Sequence, residues 1–262
     1  MQIDMTGKVA LVTGASRGIG AAIARAFREA GASVALAARD AEALAYLAAE
    51  LGGTDGHAIA IPTDVSDPQA VAAMVERVVA EFGCLDFACN NAAGGGHPPT
   101  PLAEVPVEAF DSMLAISLRG VFLSIRAEIP AMLQSGGGAI VNMSSTAGLD
   151  AVGGLASYVA AKHGIEGLTR VAALDYGNAG IRVNSIAPGP ILTDNLIRAG
   201  AQAQQAAGMA TPLKRVGQPE EVAAATVWLC SDQAAFITGT TLTIDGGKLA
   251  GTPPFKVQAG PR

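Results

Sequence analysis

The chain has 262 residues, of which half are apolar and only 15% are charged, and its formal charge is −6. This length suits a single α/β domain with a sizeable core, whereas the 17 lysines and arginines form no basic run of the kind that nucleic acids require. No apolar stretch of 18 residues predicts a membrane span and no secretory signal is recognised, so we expect a cytoplasmic protein.

Seven short runs of almost continuous apolar character predict strands that are covered by helices on both faces. These runs lie at 9–13, 33–38, 57–61, 85–90, 139–143, 181–186 and 240–244. Between them, alanine-rich segments with helical spacing predict helices at 20–30, 41–51, 69–82, 107–133, 157–178 and 220–229. The alternation predicts one α/β domain of the doubly wound, Rossmann type over residues 1–250, with a seven-stranded parallel sheet flanked by helices.

Two segments interrupt this alternation. Residues 94–101 (GGGHPPTP) and 189–216 each follow a predicted strand, and ligands of open α/β sheets bind beyond the carboxyl ends of strands. Together with 149–155 they predict a substrate pocket with few charges, which suits a neutral apolar or alicyclic carbonyl compound. We expect 189–216 to be a loop that orders as a lid on binding, and the tail at 251–262 to be extended or disordered.

The first strand leads directly into TGASRGIG at 13–20 and then into an alanine-rich helix. Gly14, Gly18 and Gly20 permit a tight turn and close backbone approach, and the helix start offers free N–H groups to a pyrophosphate. The alternative, an ordinary glycine-rich turn, does not account for the position between strand and helix. The pattern therefore predicts a dinucleotide site.

The end of the second strand indicates which dinucleotide binds. A site for NAD usually has Asp or Glu there, but this chain has Ala38 and Arg39, and Arg17 lies within the glycine loop. Two guanidinium groups suit a ribose 2′-phosphate, which favours NADP(H) over NAD(H). The alternative is that Arg39 only caps a surface turn and that Asp40 is a helix N-cap.

A candidate acid–base pair lies on the predicted helix 157–178. Tyr158 and Lys162 are four residues apart and therefore lie on one helix face, where an ammonium is expected to lower the pKa of the phenol. Ser144 and Ser145 follow the fifth strand, where a hydroxyl can orient a substrate oxygen, although such serines are often turn formers. Three cysteines without CxxC spacing and three scattered histidines predict free thiols and no metal site.

Five sequence blocks in order resemble the short-chain dehydrogenase/reductase family: TGASRGIG at 13–20, NNAA at 90–93, VNMSS at 141–145, YVAAK at 158–162 and RVNSIAPGPILT at 182–193. The resemblance implies that Tyr158 is the catalytic acid/base, that Lys162 lowers its pKa and binds the nicotinamide ribose, and that Ser145 orients the substrate, because Ser145 rather than Ser144 has the usual family separation from Tyr158. It also implies a homotetramer. The cofactor-binding residues that these blocks imply are Gly14, Ser16, Arg17, Gly18, Ile19, Gly20, Arg39, Asp64, Val65, Asn91, Ala92, Tyr158, Lys162, Pro188, Gly189, Ile191 and Thr193.

Two positions depart from the family pattern. Ala93 stands where the family block has glycine, a mild change in the turn. Ser117 stands where many relatives carry an asparagine that helps to hold a water relay to the lysine. Because serine is shorter, we expect this relay to be altered and activity to survive.

Three functions fit these observations. The first is an NADPH-dependent carbonyl reductase, with 3-oxoacyl thioesters among its candidate substrates. The second is a dehydrogenase that mainly oxidises a secondary alcohol, a sugar or a steroid. The third is an NADP-binding scaffold or sensor without turnover, against which the complete set of Ser145, Tyr158 and Lys162 argues.

Overall fold

A computed structural model of the protein describes residues 3–52, 55–94 and 96–251. The strands are β1 Val9–Thr13, β2 Ser33–Ala38, β3 Ala58–Pro62, β4 Phe87–Asn90, β5 Gly138–Met143, β6 Ile181–Pro188 and β7 Thr241–Ile244. The α-helices are α1 Gly18–Glu29, α2 Ala41–Glu50, α3 Pro68–Phe82, α4 Val107–Leu114, α5 Gly120–Gln134, α6 Ala156–Tyr176, α7 Asp194–Arg198, α8 Ala201–Met209 and α9 Pro219–Cys230.

The seven strands form one parallel sheet in the order β3-β2-β1-β4-β5-β6-β7. The chain builds outward from β1 to one edge and then continues from β4 to the other edge. The gap beyond the carboxyl ends of β1 and β4 is therefore the topological switch point, where doubly wound sheets bind their ligands. The predicted fold class is confirmed.

Two apolar layers cover the sheet. On one face, Phe27 of α1 stacks on Phe87 of β4 with ring centroids 5.8 Å apart, and α9 packs beside them. On the other face lie α3, α5 and α6. Within β1, Val12 belongs to the first layer and Leu11 to the second, and both are fully buried. Burial on both faces explains why the strand sequences are continuously apolar rather than alternating.

Local signals explain where several helices begin and end. The Asp40 carboxylate accepts a hydrogen bond from Ala43 N at 3.0 Å and so caps α2. Asp67 caps α3 in the same way, with Pro68 as the first helical residue. Gly83 adopts a left-handed conformation, φ +83°, that ends α3.

The structure corrects three details of the sequence prediction. The helix predicted at 107–133 contains a π-helical segment, Ala115–Arg119, between α4 and α5. The segment 189–216, predicted as a loop, forms the two short helices α7 and α8. The helix predicted at 20–30 begins at Gly18, so its first turn includes the end of the glycine motif. Most of the predicted tail, from residue 252 on, lies outside the described residues.

Candidate active site

The glycine-rich loop between β1 and α1 is fixed by close backbone contacts. Gly14 has φ +66°, and a Cβ on Gly20 would lie 2.2 Å from the Gly14 carbonyl oxygen, so neither position accepts a side chain. Asn91, which follows β4, donates from Nδ2 to the carbonyl oxygens of Thr13 and Gly14 at 3.1 and 3.2 Å. The loop and the N-terminus of α1 are thereby held at the switch point, where the first N–H groups of the helix lack intrahelical partners.

A cleft of about 670 Å³ lies beside this loop. Gly18 lies close to Thr193, since a Cβ on Gly18 would be 3.6 Å from the Thr193 side chain. The cleft is lined by most of the predicted cofactor-binding residues: Gly14, Ser16, Arg17, Gly18, Ile19, Arg39, Asp64, Val65, Asn91, Ala92 and Thr193. The structure therefore brings together in one cleft residues that the sequence separates by up to about 180 positions.

Other lining residues had no assigned role at the sequence level. Thr63 directly follows β3, so the rule that ligands bind beyond strand ends could have identified it. Ile116 lies in the π-helical segment, which the sequence pattern did not reveal. Asp194 and Asn195 begin α7, within the segment predicted as a loop.

The remaining predicted cofactor-binding residues, Tyr158 and Lys162 among them, lie outside the lining of this cleft. Gly20 packs against the loop itself. Pro188 is the last residue of β6, and Gly189 follows it. Ile191 lines a smaller cavity of about 230 Å³, together with residues of β7 and of the segment that follows α8. Pro188, Gly189 and Ile191 nevertheless lie at or just beyond the carboxyl end of β6, at the carboxyl edge of the sheet.

The two arginines expected to bind a 2′-phosphate both line the cleft and are exposed. The Nε of Arg17 lies 3.7 Å from Oδ2 of Asp194, a surface ion pair that contributes little stability. Hydrogen bonds from Ser66 lower the pKa of Asp64, and the positive charge of Arg39 contributes further to this lowering. The alternative role foreseen for Asp40, as a helix N-cap, is confirmed.

The candidate catalytic residues come from two neighbouring elements. Ser145 follows β5, where its Oγ accepts a hydrogen bond from Ala147 N at 3.1 Å, and Tyr158 lies in the first turn of α6. A hydrogen bond between their side chains acts to lower the pKa of Tyr158. Ser144 is buried and donates to the main-chain carbonyl of Lys162 at 3.4 Å. Ser145, rather than Ser144, is therefore the serine directed towards Tyr158.

Lys162 is buried beneath the Tyr158 ring. Its Nζ lies 5.6 Å from the ring centroid and donates a hydrogen bond to the carbonyl oxygen of Met143 at 2.7 Å. Burial lowers the pKa of Lys162 to about 8, and the negative charge of Glu166 opposes this change. The ammonium is therefore fixed by the end of β5 but is easier to deprotonate than an exposed lysine.

The direction of the pKa change at Tyr158 differs from the sequence expectation. Burial raises the pKa of this phenol, and the hydrogen bond from Ser145 offsets only part of the increase. The lowering expected from Lys162 does not prevail, because removal of the phenolate from water is the larger effect. At neutral pH the hydroxyl is thus protonated.

Ser117 is fully buried in the π-helical segment. Its Oγ accepts a hydrogen bond from Gly94 N at 3.3 Å and donates to Gly94 O at 3.2 Å. Both bonds connect this segment to the loop after β4. In this chain the side chain at the altered family position therefore braces a loop that flanks the cleft.

Within the described ranges, no group of three or more His, Cys, Asp or Glu side chains is arranged to hold a metal ion. Among the same residues, no helix is both long and apolar enough to cross a bilayer.

Comparison with known proteins gives consistent matches over almost the whole chain. Residues 14–248 match the family model described as Enoyl-(Acyl carrier protein) reductase. An A-factor type gamma-butyrolactone 1'-reductase (1S-forming) from Streptomyces virginiae is 44% identical over 248 residues, which are 93% of this chain and 96% of that protein. A D-threitol dehydrogenase from Mycolicibacterium smegmatis is 43% identical over 93% of both chains.

Two further matches extend this pattern. A cyclohexanol dehydrogenase from Acinetobacter sp. is 40% identical over 94% of this chain and 96% of that protein. The crystal structure of a short-chain type dehydrogenase/reductase from Mycobacterium marinum has a TM-score of 0.88 at 35% identity, covering 95% of this chain and 98% of that one. These relatives differ in their named substrates but are all oxidoreductases.

Proposed function

Because the chain belongs to the short-chain dehydrogenase/reductase family and is an oxidoreductase with a nicotinamide cofactor, we propose that it reduces a ketone or aldehyde to an alcohol with NADPH. The observation that carries this proposal is the grouping of Ser145, Tyr158 and Lys162 at the carboxyl edge of β5, with the Tyr158 hydroxyl protonated at neutral pH. A protonated phenol is suited to give a proton to a carbonyl oxygen.

The cleft residues fit a dinucleotide. Because Gly18 has no side chain, a phosphate can approach the backbone beside the N–H groups at the start of α1, between the loop and Thr193. Arg17 and Arg39 both line the cleft with exposed guanidinium groups, which suit a 2′-phosphate, and this is the basis for preferring NADP(H) to NAD(H). In this proposal Asp64 and Val65 contact the adenine, and a bound nicotinamide supplies the hydride.

The roles of the chain's own residues follow from their positions. Ser145 and Tyr158 hold the carbonyl oxygen of the substrate by hydrogen bonds, which fixes its orientation. Tyr158 then donates its proton to that oxygen as the carbonyl carbon is reduced. The ammonium of Lys162, beneath the ring, stabilises the phenolate that remains until it is protonated again.

A neutral, largely apolar substrate fits the surroundings best. The helices α7 and α8 expose Ile197 and Met209, and Leu213 follows them, so closure of the segment 189–216 would bury apolar surface around a substrate. Alicyclic alcohols and lactones in the names of relatives agree with this class. Unchanged protease sensitivity of this segment in the presence of cofactor and substrate would contradict its role as a lid.

The same proposal includes the organisation of the protein. Residues 1–250 form one domain that binds both cofactor and substrate, and the tail 251–262 lies beyond it. Phe122, Val171 and Leu174 expose apolar side chains on α5 and α6, which suits burial between subunits of a homotetramer. A stable monomer in light scattering would contradict this assembly. The free thiols agree with a reducing cytoplasm.

A screen of carbonyl compounds with NADPH, followed by absorbance at 340 nm, tests the function directly. We expect turnover of apolar ketones, faster with NADPH than with NADH. Tyr158→Phe should bind NADPH as tightly as the wild type and yet lose at least about a hundredfold in kcat, because the proton donor is removed. Faster oxidation of alcohols than reduction of any ketone at neutral pH would favour the oxidative alternative. Equal turnover by Tyr158→Phe would refute the assigned role.

A further inference from the structure

Glu166 is a buried carboxylate on the active-site helix. Together with Tyr158 and Lys162 it forms a series with a four-residue spacing, which keeps the three side chains on one side of α6. Only 3% of Glu166 is exposed. Its Oε2 accepts hydrogen bonds from Ser185 of β6, at 2.7 Å, and from Thr241 of β7. The carboxylate is therefore fixed where α6 meets the last two strands.

The hydrogen bonds to Glu166 come from neutral hydroxyl groups and reach only one of its two carboxylate oxygens. Its Oε1 has no hydrogen-bond partner in the described part of the chain, and a charge buried without compensation is costly. Lys162, one turn earlier, gives its hydrogen bond to Met143 O, and no ion-pair contact joins it to Glu166 among the described residues. The two opposite charges thus attract each other through a low-dielectric region without touching.

Among the groups near Lys162, Glu166 is the one whose charge acts on the pKa of the ammonium. Burial lowers the pKa of Lys162, and Glu166 is the charged group that acts in the opposite direction. From β5 the ammonium meets a neutral carbonyl, that of Met143. Glu128 on α5 is engaged by Asn90 and makes no contribution to the pKa of Lys162.

We propose that Glu166 is a positioning residue for the reduction, which keeps the Lys162 side chain charged and held beneath Tyr158 without touching the substrate. The proposal rests on the proposed function. In this proposal the buried carboxylate of Glu166 acts on Lys162, whereas packing alone would not require an acidic residue at this position. If it is correct, removal of the carboxylate changes the pH dependence of the reaction rather than only its rate.

The test is the pH profile of kcat for the Glu166→Gln variant, with saturating NADPH and a ketone that the wild type reduces. Because the pKa of Lys162 is about 8 and that of Tyr158 is raised, Lys162 is the first of the two to lose its proton as the pH rises. Loss of the Glu166 charge should move the alkaline limb of the profile about 0.5–1 pH unit lower. At pH 8.5 this corresponds to roughly a three- to eightfold loss of kcat, with little change at pH 6.

Two variants serve as controls. Glu128→Gln makes the same substitution at an equally buried glutamate outside the Lys162 surroundings, and it should leave the alkaline limb in place. Glu166→Asp retains the charge and should return the limb towards its wild-type position. If Glu166→Gln does not fold, the double variant Glu166→Leu/Ser185→Ala removes the carboxylate and one of its donors together, and the same shift is expected.

Urea unfolding of the protein without added cofactor provides a readout that does not depend on activity. The folded pKa of Lys162 lies below its ordinary value of 10.5, so the unfolded chain binds more protons and stability rises with pH above about 8. In Glu166→Gln this rise should begin about 0.5–1 pH unit lower.

The outcomes separate the inference from the proposed function. A loss of kcat that is equal at every pH, or an unfolding profile that keeps its shape, would show that Glu166 only packs and would overturn the inference. A wild-type protein that reduces no carbonyl compound would instead contradict the proposed function, and the unfolding profiles would still test the link between Glu166 and Lys162.

Discussion

The buried Glu128 should make the protein less stable as the pH rises through neutrality. It lies on α5 with no exposed surface, and its Oε2 accepts a hydrogen bond from Asn90 Nδ2 at 3.0 Å. Neither its Oε1 nor Asn90 Oδ1 has a donor among the described residues, so a protonated carboxyl suits this pair better than a carboxylate. Burial raises the pKa of Glu128 to about 8, and the bond from Asn90 offsets part of the increase.

The sign and size of the effect follow from proton linkage. In the unfolded chain the carboxyl ionises near 4.5, whereas in the folded chain it keeps its proton up to about pH 8. The folded state therefore binds more protons between these values, and its stability falls as the pH rises through that range. At about 1.4 kcal/mol per pH unit, the contribution amounts to about 5 kcal/mol in all, of which most is lost by pH 7.5.

Glu128→Gln provides the comparison, because glutamine has nearly the same shape and stays neutral at every pH. Urea unfolding of both proteins, followed by the fluorescence of Trp228 at one protein concentration, gives the stability difference between pH 5.5 and 8.5. Relative to the wild type, the free energy of unfolding of the variant should increase by several kcal/mol between pH 5.5 and 8.5. Glu76→Gln, at an exposed glutamate, should show no comparable trend. A stability difference between Glu128→Gln and the wild type that is independent of pH would refute the reasoning.

Three other substitutions test separate parts of the structure. Arg39→Ser should weaken NADPH binding about ten- to a hundredfold and leave NADH binding nearly unchanged, with exposed Arg126→Ser as the control in fluorescence titrations. Ser117→Ala should lower the free energy of unfolding by about 1–3 kcal/mol, because both main-chain groups of Gly94 lose a partner; an unchanged urea midpoint would contradict this. Lys214→Gly should raise that free energy by up to about 1 kcal/mol, since Lys214 has φ +58°, and a lower thermal midpoint would argue against backbone strain there.

The sequence predicts the sheet and the cleft well because the signals are local. Strands buried on both faces show continuous apolar runs, and the glycine loop follows the first of them directly. The segment 189–216 is different. Its helix α8, AQAQQAAGM, buries only Gly208, so it shows no apolar stripe by which a helix could be recognised. The π-helical turn at Ala115–Arg119 is hidden for a related reason, since it continues the helical pattern on both sides.

The spacing of Tyr158 and Lys162 in the sequence does not determine the direction in which the pKa of Tyr158 changes. Four residues between a phenol and an ammonium establish that the two can meet, but the sign of the pKa change depends on how much water each loses. That loss is set by β5, whose carbonyl at Met143 holds Lys162 although 19 positions separate the two residues. Burial therefore keeps Tyr158 protonated at neutral pH, although as a weaker acid, and it makes Lys162 easier to deprotonate. The protonated phenol can supply the proton that reduction needs, whereas oxidation needs the phenolate, and the free-energy cost of forming the phenolate in this site falls as the pH rises.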